Sequence, residues 1–172
     1  GVVTANELIV PANTPIWLRM TSGDVIHSFW VPRLCGKTDI IPNRVNHLWF
    51  ETSEPDWYYG QCAEYCGNQH ANMLLAVQVQ KQDEFKSWAD AQLQPPVESQ
   101  EPEAVAGREV FLRYACQSCH PLYDESVGTF APDLTHLMSR KRIASGMVPN
   151  TKEYLRAWIE NPQNVKPGCN MP

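Results

Sequence analysis

Apolar and polar positions change their period part-way along the chain. Before residue 80 the apolar positions fall in short runs rich in β-branched and aromatic residues, at 7–10, 16–20, 25–31, 45–50, 57–59 and 74–79. Pro11, Pro15, Ser22-Gly23 and Pro32 punctuate them. Leu75, Val77 and Val79 alternate with their neighbours, as a half-buried strand requires. Many short strands between turn signals predict an all-β sandwich or barrel with Greek-key connections. The period then becomes helical. Phe85, Trp88, Ala89 and Leu93 predict one helix, with Asp83 and Glu84 near its N-terminus where the dipole favours acids. Residues 95–102, with three prolines and little to bury, predict a semi-stiff linker. Beyond it, 105–116 reads as a helix and a loop region containing Gly128, Pro132 and Gly146 follows. Asn150 and Glu153 form a candidate capping box for a helix carrying Leu155, Trp158 and Ile159. Asn161-Pro162 should stop that helix, leaving 165–172 as loop. Two domains are expected: a β domain at 1–94 and a helical domain at 103–172.

Composition narrows the function. The chain has 172 residues, 43% of them apolar, so it can bury a core. Its formal net charge is −5, which argues against nucleic acid as a partner. Residues 1–94 carry 6 basic and 10 acidic side chains against 8 and 9 in the rest, a balance that suits a basic soluble partner as well as plain solubility. No apolar run approaches the roughly 18–20 residues of a membrane span, and the N-terminal residues lack the charged region of a secretory signal.

The cysteines carry the chemistry. Six could form a disulfide framework, but Cys62/Cys66 and Cys116/Cys119 are tight pairs, each with a histidine just downstream. That is ligand spacing; Cys35 and Cys169 are left as free thiols. Cys116-Gln-Ser-Cys-His120 has the spacing of a c-type haem attachment. Two thiols one turn apart can add to the two vinyl groups of one porphyrin, with His120 as proximal ligand. A redox pair would need a βαβ context, and zinc a second ligand pair nearby. The sixth iron ligand must come from Met138, Met147 or Met171. Met171 is favoured, because it lies in a Pro-Gly-rich loop where no periodicity asks for an apolar residue.

The segment Cys62-Ala-Glu-Tyr-Cys-Gly-Asn-Gln-His-Ala-Asn-Met73 gathers two thiols, an imidazole and a thioether. Soft sulfur donors select copper. A mononuclear blue-copper site uses one cysteine; two can bridge a pair of ions, each then needing its own histidine. His70 serves one. The other is His27 or His47, with His27 preferred for its place at a strand end among aromatics. Glu64, between the thiols, has a backbone carbonyl placed to approach copper and a carboxylate free for another cation. Trp30, Trp57, Tyr58 and Tyr59 are expected to keep water from the centre.

The His27 segment, Lys37-Thr-Asp-Ile-Ile-Pro-Asn-Arg44, Tyr59-Gly-Gln-Cys-Ala-Glu-Tyr-Cys-Gly67 and His70/Met73 together resemble subunit 2 of haem–copper cytochrome c oxidase. With its Cys-x-x-Cys-His domain, the chain is similar to the caa3-type branch. The resemblance implies a cupredoxin-like CuA domain at 1–94, a 95–102 linker, and an all-α class I cytochrome c domain at 103–172. It implies binuclear copper on His27, Cys62, the Glu64 carbonyl, Cys66, His70 and Met73. The Glu64 carboxylate would help bind magnesium at the interface with subunit 1. Haem c would be bonded to Cys116 and Cys119 with His120 and Met171 as axial ligands, and the Pro132 carbonyl would accept a hydrogen bond from His120. The implied function is electron relay from a cytochrome c or other donor, through haem and copper, to subunit 1, where oxygen is reduced to water and protons are pumped. The implied location is the outer face of a bacterial cell membrane. The family's two transmembrane helices and its tryptophan-rich segment precede the point where this chain begins, and its cytochrome part has a helix after the Met-Pro, so a fragment trimmed at both ends is expected. Asn43 replaces a usual glycine, a change Asn tolerates, and Ala131 replaces another. Rival readings are a nitric oxide or nitrous oxide reductase using the same copper module, a stand-alone electron carrier, and a disulfide-stapled domain.

Overall fold

The computed structural model describes residues 1–114, 116–123 and 130–172. Gly128 lies outside them. Strands β1 (Glu7–Pro11), β2 (Ile16–Met20), β3 (His27–Trp30), β4 (Thr38–Ile40), β5 (Asn46–Phe50), β6 (Asp56–Cys62) and β7 (Leu74–Gln80) precede helix α1 (Gln82–Gln92). Helix α2 (Pro102–Arg113), the two-residue strands β8 (Arg142–Ile143) and β9 (Val148–Pro149), and helices α3 (Lys152–Glu160) and α4 (Pro162–Val165) follow. The chain divides into two compact units, one of 1–5 with 86–139 and one of 6–85 with 140–172. The proline-rich stretch 95–102 falls inside the first.

In the second unit, five strands form one sheet in the order β1-β7-β6-β3-β4, and β2 pairs with β5. β1 runs parallel to β7, while β7, β6, β3 and β4 are mutually antiparallel neighbours. Neighbours distant in sequence, such as β1 beside β7, give the non-sequential pairing expected of an all-β cupredoxin-like domain. Its core is Val10, Ala12, Val31, Phe50, Tyr58, Val77 and Val79. Each fully buried aliphatic or aromatic side chain contributes ~1.5–3 kcal/mol. β4 was not anticipated: three residues, one of them an aspartate, give periodicity nothing to register.

One glycine sets the spacing that the site needs. A Cβ on Gly60 would lie 2.2 Å from the Trp30 carbonyl oxygen and 2.9 Å from Leu75 Cδ1 and Val31 Cγ2. β3 therefore approaches β6 as closely as it does because position 60 has no side chain. At the turn before β5, Asn43 takes the left-handed conformation, with φ +59°, as an Asn in a glycine position must.

The cap of α3 differs from the expected one. Thr151, not Asn150, is the N-cap, and its side chain accepts the Tyr154 N–H. Asn150 instead donates its side chain to the Arg140 carbonyl at 3.1 Å and its backbone N–H to Lys141 O at 2.9 Å. Two adjacent residues each able to cap leave the sequence pattern ambiguous by one position. Asn161 ends α3 and caps α4, whose first residue is Pro162. In the first unit α2 begins with Pro102 at its first turn, where the missing N–H costs nothing.

Candidate functional site

The register of the central sheet brings the metal-ligand candidates together. β3 and β6 are antiparallel, with Phe29 opposite Cys62 and Trp30 opposite Gln61. His27, the first residue of β3, thus sits beside Cys62, the last of β6; its Nδ1 lies 3.9 Å from Cys62 Sγ. The connection from β6 to β7 is pinned at its base. The Ala63 N–H donates to Ser28 O at 3.0 Å, and the Cys62 N–H to Met73 O at 2.9 Å. Within it the His70 N–H donates to Gly67 O and the Met73 N–H to His70 O, folding the loop so that its side chains converge. Cys66 Sγ lies 3.8 Å from Cys62 Sγ, 3.6 Å from His70 Nδ1 and 4.0 Å from Met73 Sδ. The Glu64 carbonyl oxygen is 3.2 Å from Cys62 Sγ, while the rest of Glu64 is exposed. His47 is exposed on β5 opposite Arg19.

This donor set fits a pair of soft metal ions. A sulfur separation of 3.8 Å is far beyond a disulfide bond of about 2.05 Å. It is shorter than twice a metal–thiolate bond of ~2.3 Å, so both thiolates can bond the same ion, from either side of the line joining them. Each sulfur has its own imidazole, His27 on Cys62 and His70 on Cys66. Each has its own weaker donor, the Glu64 carbonyl on one and Met73 on the other. Six donors in two like halves exceed the four of a tetrahedral zinc site, and the thiolate–thioether chemistry selects copper.

Electrostatics orient the set. His27 Nε2 donates to Asp24 Oδ1 at 2.8 Å, which leaves Nδ1 turned to the sulfur. Ser22 Oγ also donates to that carboxylate, at 2.9 Å. The hydrogen bond from His27, and then that from Ser22, hold the Asp24 carboxyl below its ordinary value. Burial disfavours the charged imidazole of His27, but Asp24 and Cys62 outweigh it and raise its pKa. Burial likewise opposes a thiolate at Cys62, yet backbone hydrogen bonds at Ser28 and Glu64, with those of His27 and His70, bring its thiol down to about 7. Burial, then the neighbouring Cys62, push Cys66 up to about 11. The Cys66 thiol therefore holds its proton more tightly than an ordinary cysteine, and metal binding must displace it. Sequence reasoning missed Asp24. Its signal was an acid one helical turn before a histidine, a spacing with no meaning until β3 is known to begin at His27.

A cleft of about 320 Å³ opens onto His27, Cys62 and Met73, walled by Phe29, Ile40 and Leu75. Four aromatics, Trp30, Trp57, Tyr58 and Tyr59, are expected to keep water from the cluster. Of those, Tyr58 is buried, but Tyr59 is 62% exposed and stacks on Trp57.

The second motif lies in the first unit. Cys116–Ser118 is one 3-10 turn; the Cys119 and His120 N–H groups both donate to Cys116 O, at 3.2 and 3.0 Å. Both thiols are exposed and free. The Ala131 N–H donates to Cys119 O at 2.9 Å, which places Pro132 beside the histidine. His120 Nδ1 and the Pro132 carbonyl are 2.8 Å apart, so Nδ1–H is the donor and Nε2 remains for iron. Two free thiols on one turn beside an imidazole oriented this way fit a covalently attached haem. Met171 belongs to the second unit. Met138 is 59% exposed.

The sequence model of the family described as cytochrome C oxidase subunit II, periplasmic domain, matches residues 2–80. The match contains β1–β7 and every residue of the sulfur–imidazole cluster, and it places these residues on the extracytoplasmic side. Cytochrome c oxidase subunit 2 of Alkalihalophilus pseudofirmus is 37% identical over 173 residues, covering all of this chain and 50% of the relative. That of Bacillus sp. strain PS3 is 34% identical over 183 residues, 99% of this chain and 51% of the relative. The chain spans about half the length of these relatives. The crystal structure of the periplasmic domain of subunit II of cytochrome oxidase (CoxB) of Bradyrhizobium japonicum is similar over 51% of this chain and 64% of that one, with 42% identity and a TM-score of 0.49.

Proposed function

We propose that the chain is the extracytoplasmic electron-transfer part of a subunit 2 of a haem–copper oxidase. It takes electrons from a cytochrome c or similar donor and delivers them to subunit 1, where oxygen is reduced to water and protons are pumped. Residues 1–94 carry the copper, 95–102 link, and 103–172 carry haem c. When bound, the copper pair and the haem supply reversible one-electron exchange. One observation carries the reading: two sulfurs 3.8 Å apart, each with its own imidazole nitrogen, at 3.9 Å from Cys62 and 3.6 Å from Cys66.

The chain's residues then have defined work. Cys62 and Cys66 would hold the copper through their thiolates. His27 and His70 complete the two halves, with the Glu64 carbonyl and Met73 as weaker donors. Asp24 fixes the ring of His27, and the bonds of Ala63 to Ser28 and of Cys62 to Met73 hold the loop rigid, so that ligand positions change little between redox states. The Glu64 carboxylate stays exposed, available to a magnesium ion shared with subunit 1. Cys116 and Cys119 would attach the haem, and His120, oriented by the Pro132 carbonyl, would ligate its iron together with Met171. Relatives that align along the whole chain support a single subunit containing both parts. Reductive titration of the loaded chain tests the proposal. One electron should go to a haem band and one to a copper band. A chain that takes up electrons at one centre only contradicts it.

A further inference from the structure

Two residues bracket the ligand segment 70–73, and both are hydrogen-bonded to the C-terminal segment of their own compact unit. The Leu74 N–H donates to Ser145 O at 3.2 Å, and Gln69 Nε2 donates to the Pro167 carbonyl. Each contact is made against a glycine in the left-handed region. A Cβ on Gly146 (φ +80°) would lie 3.1 Å from Leu74 Cβ, and one on Gly168 (φ +82°) 3.0 Å from Gln69 Nε2. The two contacts are tied to each other by buried Lys166, whose Nζ donates to Ser145 Oγ at 2.7 Å.

The loop that meets Gln69 is the one that ends in Met171. Gln163 braces it: the side-chain oxygen accepts the Gly168 N–H at 2.8 Å, and Nε2 donates to Cys169 O at 3.0 Å and Met171 O at 3.2 Å. A continuous run of covalent and hydrogen bonds therefore leads from His70 through the Gln69 side chain to Pro167-Gly168, and through Gln163 to Met171. Electron tunnelling falls off far more steeply across a van der Waals gap than along bonded atoms. The geometry points to Gln69 as a positioning residue that docks the Met171 loop on the His70 loop and so sets the rate of electron exchange between the two centres these loops serve. The inference rests on the two-centre reading above.

The test is flash photoreduction of the haem in the full chain loaded with copper and haem c, following the transfer of that electron to copper. Gln69→Leu keeps the bulk and removes the donor. Gly168→Ala disturbs the same contact from the other side, by pressing its Cβ on Gln69 Nε2, and leaves residue 69 itself unchanged. Loss of one neutral hydrogen bond lowers the ratio of docked to undocked loop about fivefold, and transfer follows the docked fraction, so each variant should transfer more slowly than the parent, by up to about fivefold. The copper and haem spectra should stay as in the parent, a pattern that general loosening of the fold would not produce. Unchanged transfer in both variants, with both centres loaded, overturns the role of Gln69 and leaves the two-centre reading standing. A parent chain that fails to load both centres overturns the two together.

Discussion

Replacing Gly60 by alanine tests how the sheet builds the site. The new Cβ would stand 2.2 Å from the Trp30 carbonyl oxygen, against an ordinary carbon–oxygen approach of ~3.3 Å. β3 must therefore retreat from β6 by about 1 Å, and Leu75 and Val31, each 2.9 Å away, close the side-chain escape. Overpacking of this kind costs ~1–3 kcal/mol. With a urea slope of ~1–3 kcal/mol per M, the midpoint of unfolding should fall by roughly 1 M. The same retreat carries His27 away from Cys62, so copper should be held less tightly in the variant. Gly36→Ala is the control, since a Cβ there meets nothing within 4 Å, and it should change stability by less than ~0.5 kcal/mol. Circular dichroism in urea, with copper retained after gel filtration, reads both effects. A Gly60→Ala chain as stable as the parent, or one no worse than Gly36→Ala, would refute the reasoning.

Three further outcomes are expected. His27→Ala should lose copper or localise its unpaired electron, while His47→Ala, on an exposed strand face, should leave copper content and spectrum unchanged; elemental analysis and electron paramagnetic resonance read both. Met171→Ala should open the haem iron to carbon monoxide, whereas Met138→Ala and Met147→Ala should leave a six-coordinate spectrum. Glu7 is buried, and its Oε1 accepts the Lys141 and Arg142 N–H groups at 2.9 and 3.0 Å; burial raises its pKa, those bonds only partly offsetting it. The folded chain thus holds this proton more tightly than the unfolded one, so the stability it adds is present at acid pH and lost as pH rises through the folded value. Glu7→Gln keeps an acceptor and cannot ionise, so its melting temperature should gain on the parent's as pH rises from acid to neutral.

Strand periodicity and turn residues made most of the β domain legible, because one buried face leaves an alternating trace, as at Leu75, Val77 and Val79. The copper donors were legible because four of them lie in one twelve-residue stretch. What lay hidden depends on pairing across the sheet. Local context favours His27 over His47 without deciding between them; the β3–β6 register puts the first at Cys62 and the β2–β5 register leaves the other opposite Arg19. Asp24, the three-residue β4 and the Gln69–Pro167 contact share that cause. The misplaced cap of α3 was a local failure, since Asn150 and Thr151 are both good caps and the choice follows from Asn150 bonding back to Arg140.

The most direct measurement is copper content per chain together with the paramagnetic resonance spectrum of the oxidised protein. The account predicts two copper ions and one unpaired electron spread equally over both nuclei. A single copper with a localised electron, zinc in its place, or a Cys62–Cys66 disulfide in copper-treated protein would contradict it.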